Sequence, residues 1–253
     1  MKHIKKKFAF YEKKLPIKKD SEFSTVDRRN NDMLKTLDKT EKIAFIIDTE
    51  GYHILSLMYN NQGKELLVPI PDLTLAYYDS AYINNYERKS FKNDLFKKLS
   101  QTSALTDSVS HEIYRYINYA TTSLIMMFTS IESFLNSLIP ENESYKNKKG
   151  VHNKEKIERY IGFEEKILQV IPSFEKKSFY NNKSDFLKSP IGKLKKIRDE
   201  IIHTKSSFMY QKQSKLIKQL LDFEFDKTLL EIKKLMNFYK LNYIENCPCN
   251  QNF

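Results

Sequence analysis

In the stretch KLKKIRDEIIHTK, residues 193–205, Arg198 is followed directly by Asp199 and, five positions on, by His203. These residue types suit cleavage of RNA without a metal. An imidazole, whose ordinary pKa is about 6.5, can take the proton of a ribose 2′-hydroxyl or return one to the leaving oxygen. A guanidinium can hold the phosphate and stabilise charge that develops in the transition state. DNA lacks the internal nucleophile and would be spared. Positions five apart lie roughly 140° around a straight helix, so Arg198 and His203 converge only if the helix ends near His203 or if two chains share a cleft. The alternative is a solvated helix face whose terminal His favours the helix dipole.

The elements that must carry these residues can be read from apolar spacing. Ser189 is a suitable N-cap and Pro190 fits the first helical position, where a missing N–H costs nothing; Leu194, Ile197 and Ile201 then mark a buried face. Upstream, Ile113, Ile117, Ala120, Leu124, Met127, Ile131, Leu135 and Leu138 recur by threes and fours, which predicts one long helix over about 108–138. Glu132 interrupts that face, a costly position unless the carboxylate pairs or lies at an interface. Pro140 and ENESYKNKKG read as a helix stop and a solvated basic loop, with a bridging helix from about Lys154 and a last helix capped by Asp226 that buries Leu229, Ile232, Met236, Tyr239 and Tyr243. Nearer the start, KIAFIIDTEGYHILSLMYNNQGKELLVPIPD holds three apolar runs of strand length separated by turn signals, including Asp48 and Glu50, and predicts a small antiparallel meander. A helix over about 76–99 follows it.

Two of these segments together resemble the HEPN superfamily, the all-helical nucleotide-binding and RNase domains named for higher eukaryotes and prokaryotes. RDEIIH is similar to the family motif of an Arg, a polar residue and a His after four to six positions. MMFTSIESFLNSLI is similar to the upstream helix that leads into an acidic residue and an Asn, here Glu132 and Asn136. The resemblance spans about 103–245. It implies metal-independent endoribonuclease activity in a composite site at a homodimer interface, with Arg198 and His203 essential, Asp199 and Glu132 supporting, and a setting as toxin or antiphage-defence effector with an antitoxin or other defence-system partner. The subgroup silenced by nucleotide transfer onto a Tyr two residues past the His has no counterpart, because Lys205 stands there.

Charge is consistent with a phosphate polymer as partner. The chain of 253 residues carries a net charge of +11, and a basic chain gains from releasing the counterions of nucleic acid. Ten basic residues lie between Lys183 and Lys218 against Asp185, Asp199 and Glu200, so Lys193, Lys195, Lys196 and Lys205 are candidate RNA contacts. Solvated lysines on amphipathic helices explain the same count.

Other chemistries find little support. His3, His53, His111 and His152 show no ligand spacing, the only cysteines are Cys247 and Cys249, and there is no Gly-rich phosphate loop or nucleophile elbow. No metal and no cofactor are expected. A basic start without a following apolar core does not read as a signal peptide, and the most apolar stretch is too short and polar to span a bilayer, which predicts no membrane partner and a cytoplasmic location.

The expected fold is mainly α: a basic arm and linker over 1–40, a small α+β region over 41–104, a HEPN-like helical bundle over 105–246 and a disordered tail over 247–253. The expected function is RNA cleavage by 2′-hydroxyl attack. A non-catalytic module that binds RNA, nucleotide or protein through the same basic surface is the alternative, and a purely structural interaction protein is a third.

Overall fold

The computed structural model describes residues 4–8, 10–11, 43–47, 53–101, 103–203 and 209–249. The protein is mainly helical with a small sheet on the N-terminal side. It divides into a sheet unit, Lys6–Asp72, and a helical unit made of Met1–Lys5 with Leu73–Phe253.

Within the sheet unit the three apolar runs form β2 (Ile43–Ile47), β3 (His53–Asn61) and β4 (Lys64–Pro69), paired antiparallel as expected. Gln62 and Gly63 join β3 to β4 with φ of 52° and 85°, the left-handed pair that a two-residue hairpin turn requires. Asn60 Oδ1 accepts from the Gly63 N–H at 2.8 Å and fixes the turn. A further strand, β1 (Phe10–Tyr11), pairs with Ile54 and His53 of β3. It lies inside the stretch expected to be only a basic arm, because two strand residues set among lysines carry no period-2 signal. Asp48 and Glu50, expected in a turn, and the expected linker lie outside the described residues.

The helical unit is built on α1 (Leu73–Gln101) and α2 (Asp107–Ser137). Thr74 meets Ser133, Ser123 donates to the Ala81 carbonyl, and Arg88 donates to Tyr116, a falling series that makes the pair antiparallel. Thr106 Oγ1 caps α2 by accepting from the Val109 N–H, with Asp107 in the first turn. Leu124, Met127, Ile131, Phe134 and Leu135 are buried, so the periodic face read from the sequence is the core face. The division at residue 104 does not match the compact units. α1 belongs to the helical unit because it buries Leu75, Tyr78, Ala81 and Tyr82 in the same core as α2.

A hairpin of β5 (Tyr145–Asn147) and β6 (Gly150–His152) replaces the expected irregular loop. Three-residue strands are too short for alternation to show, although Gly150, at φ 130°, marks the turn. Then come α3 (Lys154–Tyr160), a continuous run of α4 (Phe163–Glu165), a π-helical stretch Lys166–Val170 and α5 (Ile171–Glu175), and after it α6 (Lys183–Lys188), α7 (Pro190–Ile202), α8 (Met209–Asp222) and α9 (Phe225–Tyr239).

α9 starts at Phe225 with Glu224 at the N-cap position, not after Asp226. Asp226 sits inside the first turn, where its carboxylate accepts from Asn85 at 2.7 Å and Lys89 at 2.8 Å. Asn85 in turn accepts from buried Arg88, whose guanidinium lies over the Phe225 ring at 4.1 Å. Tyr243 follows the end of the helix and packs on Phe134. The expected disordered tail begins instead with a turn, in which Cys247 Sγ accepts from the Cys249 N–H. At the other end of this unit Ile4 bridges to Asn246 and the Lys5 N–H donates to the Glu245 carbonyl at 2.9 Å.

Candidate functional site

α7 carries most of the candidate residues, and its start is tightly fixed. Ser189 Oγ accepts from the Gly192 N–H at 3.0 Å and Pro190 occupies the first turn, as the sequence predicts. Ser189 Oγ also donates to the Tyr180 hydroxyl, which donates to Glu231 Oε1 of α9 at 2.9 Å. Burial pushes the Glu231 carboxyl up, against hydrogen bonds from Tyr180 and the Ile191 backbone and the charges of Lys234 and Lys227.

That shift has a sign. A carboxyl with a raised folded-state pKa favours folding while protonated, fully so below its ordinary range, and loses that contribution as pH rises through the folded value. Glu231→Gln keeps an acceptor for Tyr180 and stays neutral. Its melting temperature should gain on the wild type as pH rises above the ordinary carboxylate range, then hold a constant lead; a difference independent of pH would rule out the desolvated carboxyl as its source.

Downstream on α7, Asp199 is the hub. It accepts from Lys195 Nζ at 2.8 Å and from Arg198 Nη1 at 3.1 Å. Burial pushes its carboxyl up, but these hydrogen bonds and the two cationic charges outweigh burial and hold it below the usual carboxylate range. Arg198, with 28% of its side chain exposed, stands over the Phe128 ring of α2 with Cζ 4.4 Å from the centroid. Phe128 is buried and backed by Phe163, centroid to centroid 4.7 Å. A guanidinium over a ring gains about 0.5–1 kcal/mol at exposed sites and about 2 kcal/mol or more when desolvated, and Arg198 lies between the two.

α7 stops at Ile202, and His203 is the C-cap, with φ −101° and ψ 31°, its N–H donating to the Asp199 carbonyl at 3.0 Å. Its side chain is exposed. It lines a groove of about 850 Å³ between α7 and α8, with Lys195 and Asp199 on the same wall and Lys212, Lys215 and Leu216 opposite. Lys193 and Lys196 also line it, while Arg198 does not. Lys205 lies outside the described residues.

Glu132 is not brought to Arg198. No ion pair joins the two among the described residues; Arg198 meets α2 one turn earlier, at Phe128. Glu132 is half-buried and its charge acts instead on Lys166, a residue only 1% exposed. The Lys166 ammonium donates to Asn136 Oδ1 at 3.0 Å and the Glu158 carbonyl at 2.9 Å. Burial pushes its pKa down, opposed by the Glu132 and Glu158 charges. Glu132 and Asn136 thus serve a buried cation.

Phe128 and Lys166 were not among the residues singled out from the sequence. Phe128 reads there as ordinary core, and the only hint for Lys166 is a cation placed among Ile167, Val170 and Ile171. Among the described residues no group of three or more His, Cys, Asp or Glu is arranged to hold a metal, and no helix is long and apolar enough to cross a membrane. In comparisons with known proteins the chain matches no family model, no curated protein and no solved structure.

Proposed function

We propose that the protein is a metal-independent endoribonuclease of the HEPN type, acting as a toxin or antiphage-defence effector. The observation that carries this reading is the exposed His203 imidazole at the end of α7, facing a groove whose walls hold Lys193, Lys195, Lys196, Lys212 and Lys215. In the proposed reaction His203 takes the 2′-hydroxyl proton, the 2′-oxygen attacks phosphorus, and the bond to the 5′-oxygen breaks as that oxygen gains a proton from solvent. The products are a 2′,3′-cyclic phosphate and a 5′-hydroxyl. Cations beside the phosphate stabilise the added charge.

Arg198 in a single chain is turned toward Asp199 and Phe128. The proposal therefore includes a homodimer in which the second chain completes the cleft, with the Asp199 pairs loosening as RNA enters. An antitoxin or defence-system partner and a cytoplasmic setting belong to the same proposal. The engagement of Arg198 also favours a second reading, a non-catalytic module that binds RNA through the same lysines.

One assay separates them. Structured and unstructured RNA are incubated with the wild-type protein in EDTA and the ends are analysed. Cleavage leaving 2′,3′-cyclic phosphates supports the nuclease; bound but intact RNA at high protein concentration supports the module.

A further inference from the structure

The start of α7 is tied to α9 by a relay of two hydroxyls. Ser189 holds the first turn at two points: its Oγ accepts from the Gly192 N–H and its carbonyl accepts from the Lys193 N–H, each at 3.0 Å. Gly192 and Lys193 both line the groove that His203 faces. Ser189 Oγ donates to the Tyr180 hydroxyl at 3.2 Å, and that hydroxyl donates to Glu231 Oε1 at 2.9 Å. Tyr180 is 7% exposed and packs edge-on against Phe179 and Phe186, which keeps the ring in place.

The relay serves only one oxygen of the carboxyl. The Ile191 N–H favours the charge of Glu231, yet Glu231 Oε2 is buried and has no hydrogen-bond partner among the described residues. A neutral acid leaves little charge on that oxygen. A carboxylate there is a charge sealed from water and short of a donor, which is costly.

Glu231 is also the group in this contact whose charge can change near neutral pH. Tyr180 faces it from the segment before α6, the Ile191 N–H from α7, and Lys227 and Lys234 from α9 itself. Lysines keep their charge across the neutral range. Burial holds the Tyr180 phenol well above its ordinary range, aided by the Glu231 charge and opposed by Ser189, so Tyr180 remains a donor. Burial also raises the Glu231 carboxyl, against Tyr180, Ile191 and the two lysines.

We infer that Ser189, Tyr180 and Glu231 form a proton-controlled latch: it holds the start of α7 on α9 while Glu231 is protonated and loosens when the carboxyl ionises, because Oε2 then draws water into the contact. The sign follows from linkage. A raised carboxyl stabilises the closed form below the ordinary carboxylate range and loses that contribution as pH rises through the folded value. The groove wall at Gly192 and Lys193 loosens with the latch, whatever the groove binds, so the inference does not rest on the ribonuclease reading.

Hydrogen exchange of the full-length protein, resolved at single amides and corrected for the intrinsic pH dependence of exchange, tests the latch from mild acid to mild alkali. Protection of the Gly192 and Lys193 amides should fall about three- to tenfold as pH rises, the worth of one hydrogen bond. The fall should be insensitive to low urea, because a local opening exposes little surface. Glu231→Gln should remove the fall and keep the acid-side protection. Tyr180→Phe keeps the ring but cuts the relay, and should give weak protection at every pH; melting temperatures establish that both variants are folded. Wild-type protection that ignores pH, an equal fall in Glu231→Gln, or the wild-type slope in Tyr180→Phe would overturn the latch. So would a urea dependence matching that of the buried Leu124 amide in α2, since the whole unit would then be opening.

Discussion

If the protein is the proposed ribonuclease, replacing His203 with Ala is expected to slow RNA cleavage by about 10²- to 10⁴-fold, the usual contribution of a positioned acid or base. The melting temperature should stay close to that of the wild type. The side chain is exposed, and what His203 gives the fold is its backbone N–H, which donates to the Asp199 carbonyl and survives the substitution. This separation of activity from stability makes the variant informative. Single-turnover rates with saturating RNA measure it, and a His203→Ala protein that cleaves at the wild-type rate would remove the imidazole from the mechanism.

The largest effect on folding is expected at Gly192. A Cβ built there would stand 2.1 Å from the Phe186 carbonyl oxygen and 3.0 Å from Leu187 Cα. Both are backbone atoms of the preceding helix, so no side chain can swing away. Gly192→Ala must push α7 off α6, and overpacking of this kind costs about 1–3 kcal/mol. The same shift moves Ser189, whose hydroxyl accepts from the Gly192 N–H, and the wall of lysines that follows it. Chemical denaturation should show the loss of stability, and RNA binding should weaken with it. A Gly192→Ala protein as stable as the wild type would mean that the α6–α7 approach relaxes without cost.

The parts of the fold legible in the sequence are those where a long period or a cap acts locally. α2 was readable within a residue or two because apolar residues recur over about seven turns, and α7 because Ser189 and Pro190 are start signals with a mechanism. α8 was not anticipated: Leu216, Ile217, Leu220 and Leu221 keep helical spacing, but the lysines and glutamines around them read as surface. The short hairpin and β1 fall below the length at which alternation can be counted.

The candidate site divides in the same way. Asp199 beside Arg198 and one turn from Lys195 predicts their pairing, since neighbours on one helix must meet. The stacking of Arg198 on Phe128, and the capture of Lys166 by Asn136, join residues far apart in the chain and follow only from how helices pack. Glu132 shows the limit most plainly. Its intrusion on an apolar face announced a partner, and spacing alone could not tell a guanidinium on α7 from an ammonium in a π-helical turn.

The helical unit is interrupted in sequence, and this governs how the two units can be cut apart. Its first residues include Ile4, buried and bridged to Asn246, while Lys6–Asp72 forms a separate compact unit. The sheet unit is thus an insertion tethered at both ends. Deleting everything before Leu73 would strip Ile4 from the core and leave an apolar gap beside Asn246. An excision that spares the core must instead splice Lys5 to Leu73. The splice has little distance to cover, because the Asp72 N–H already donates to the Lys7 carbonyl at 3.0 Å.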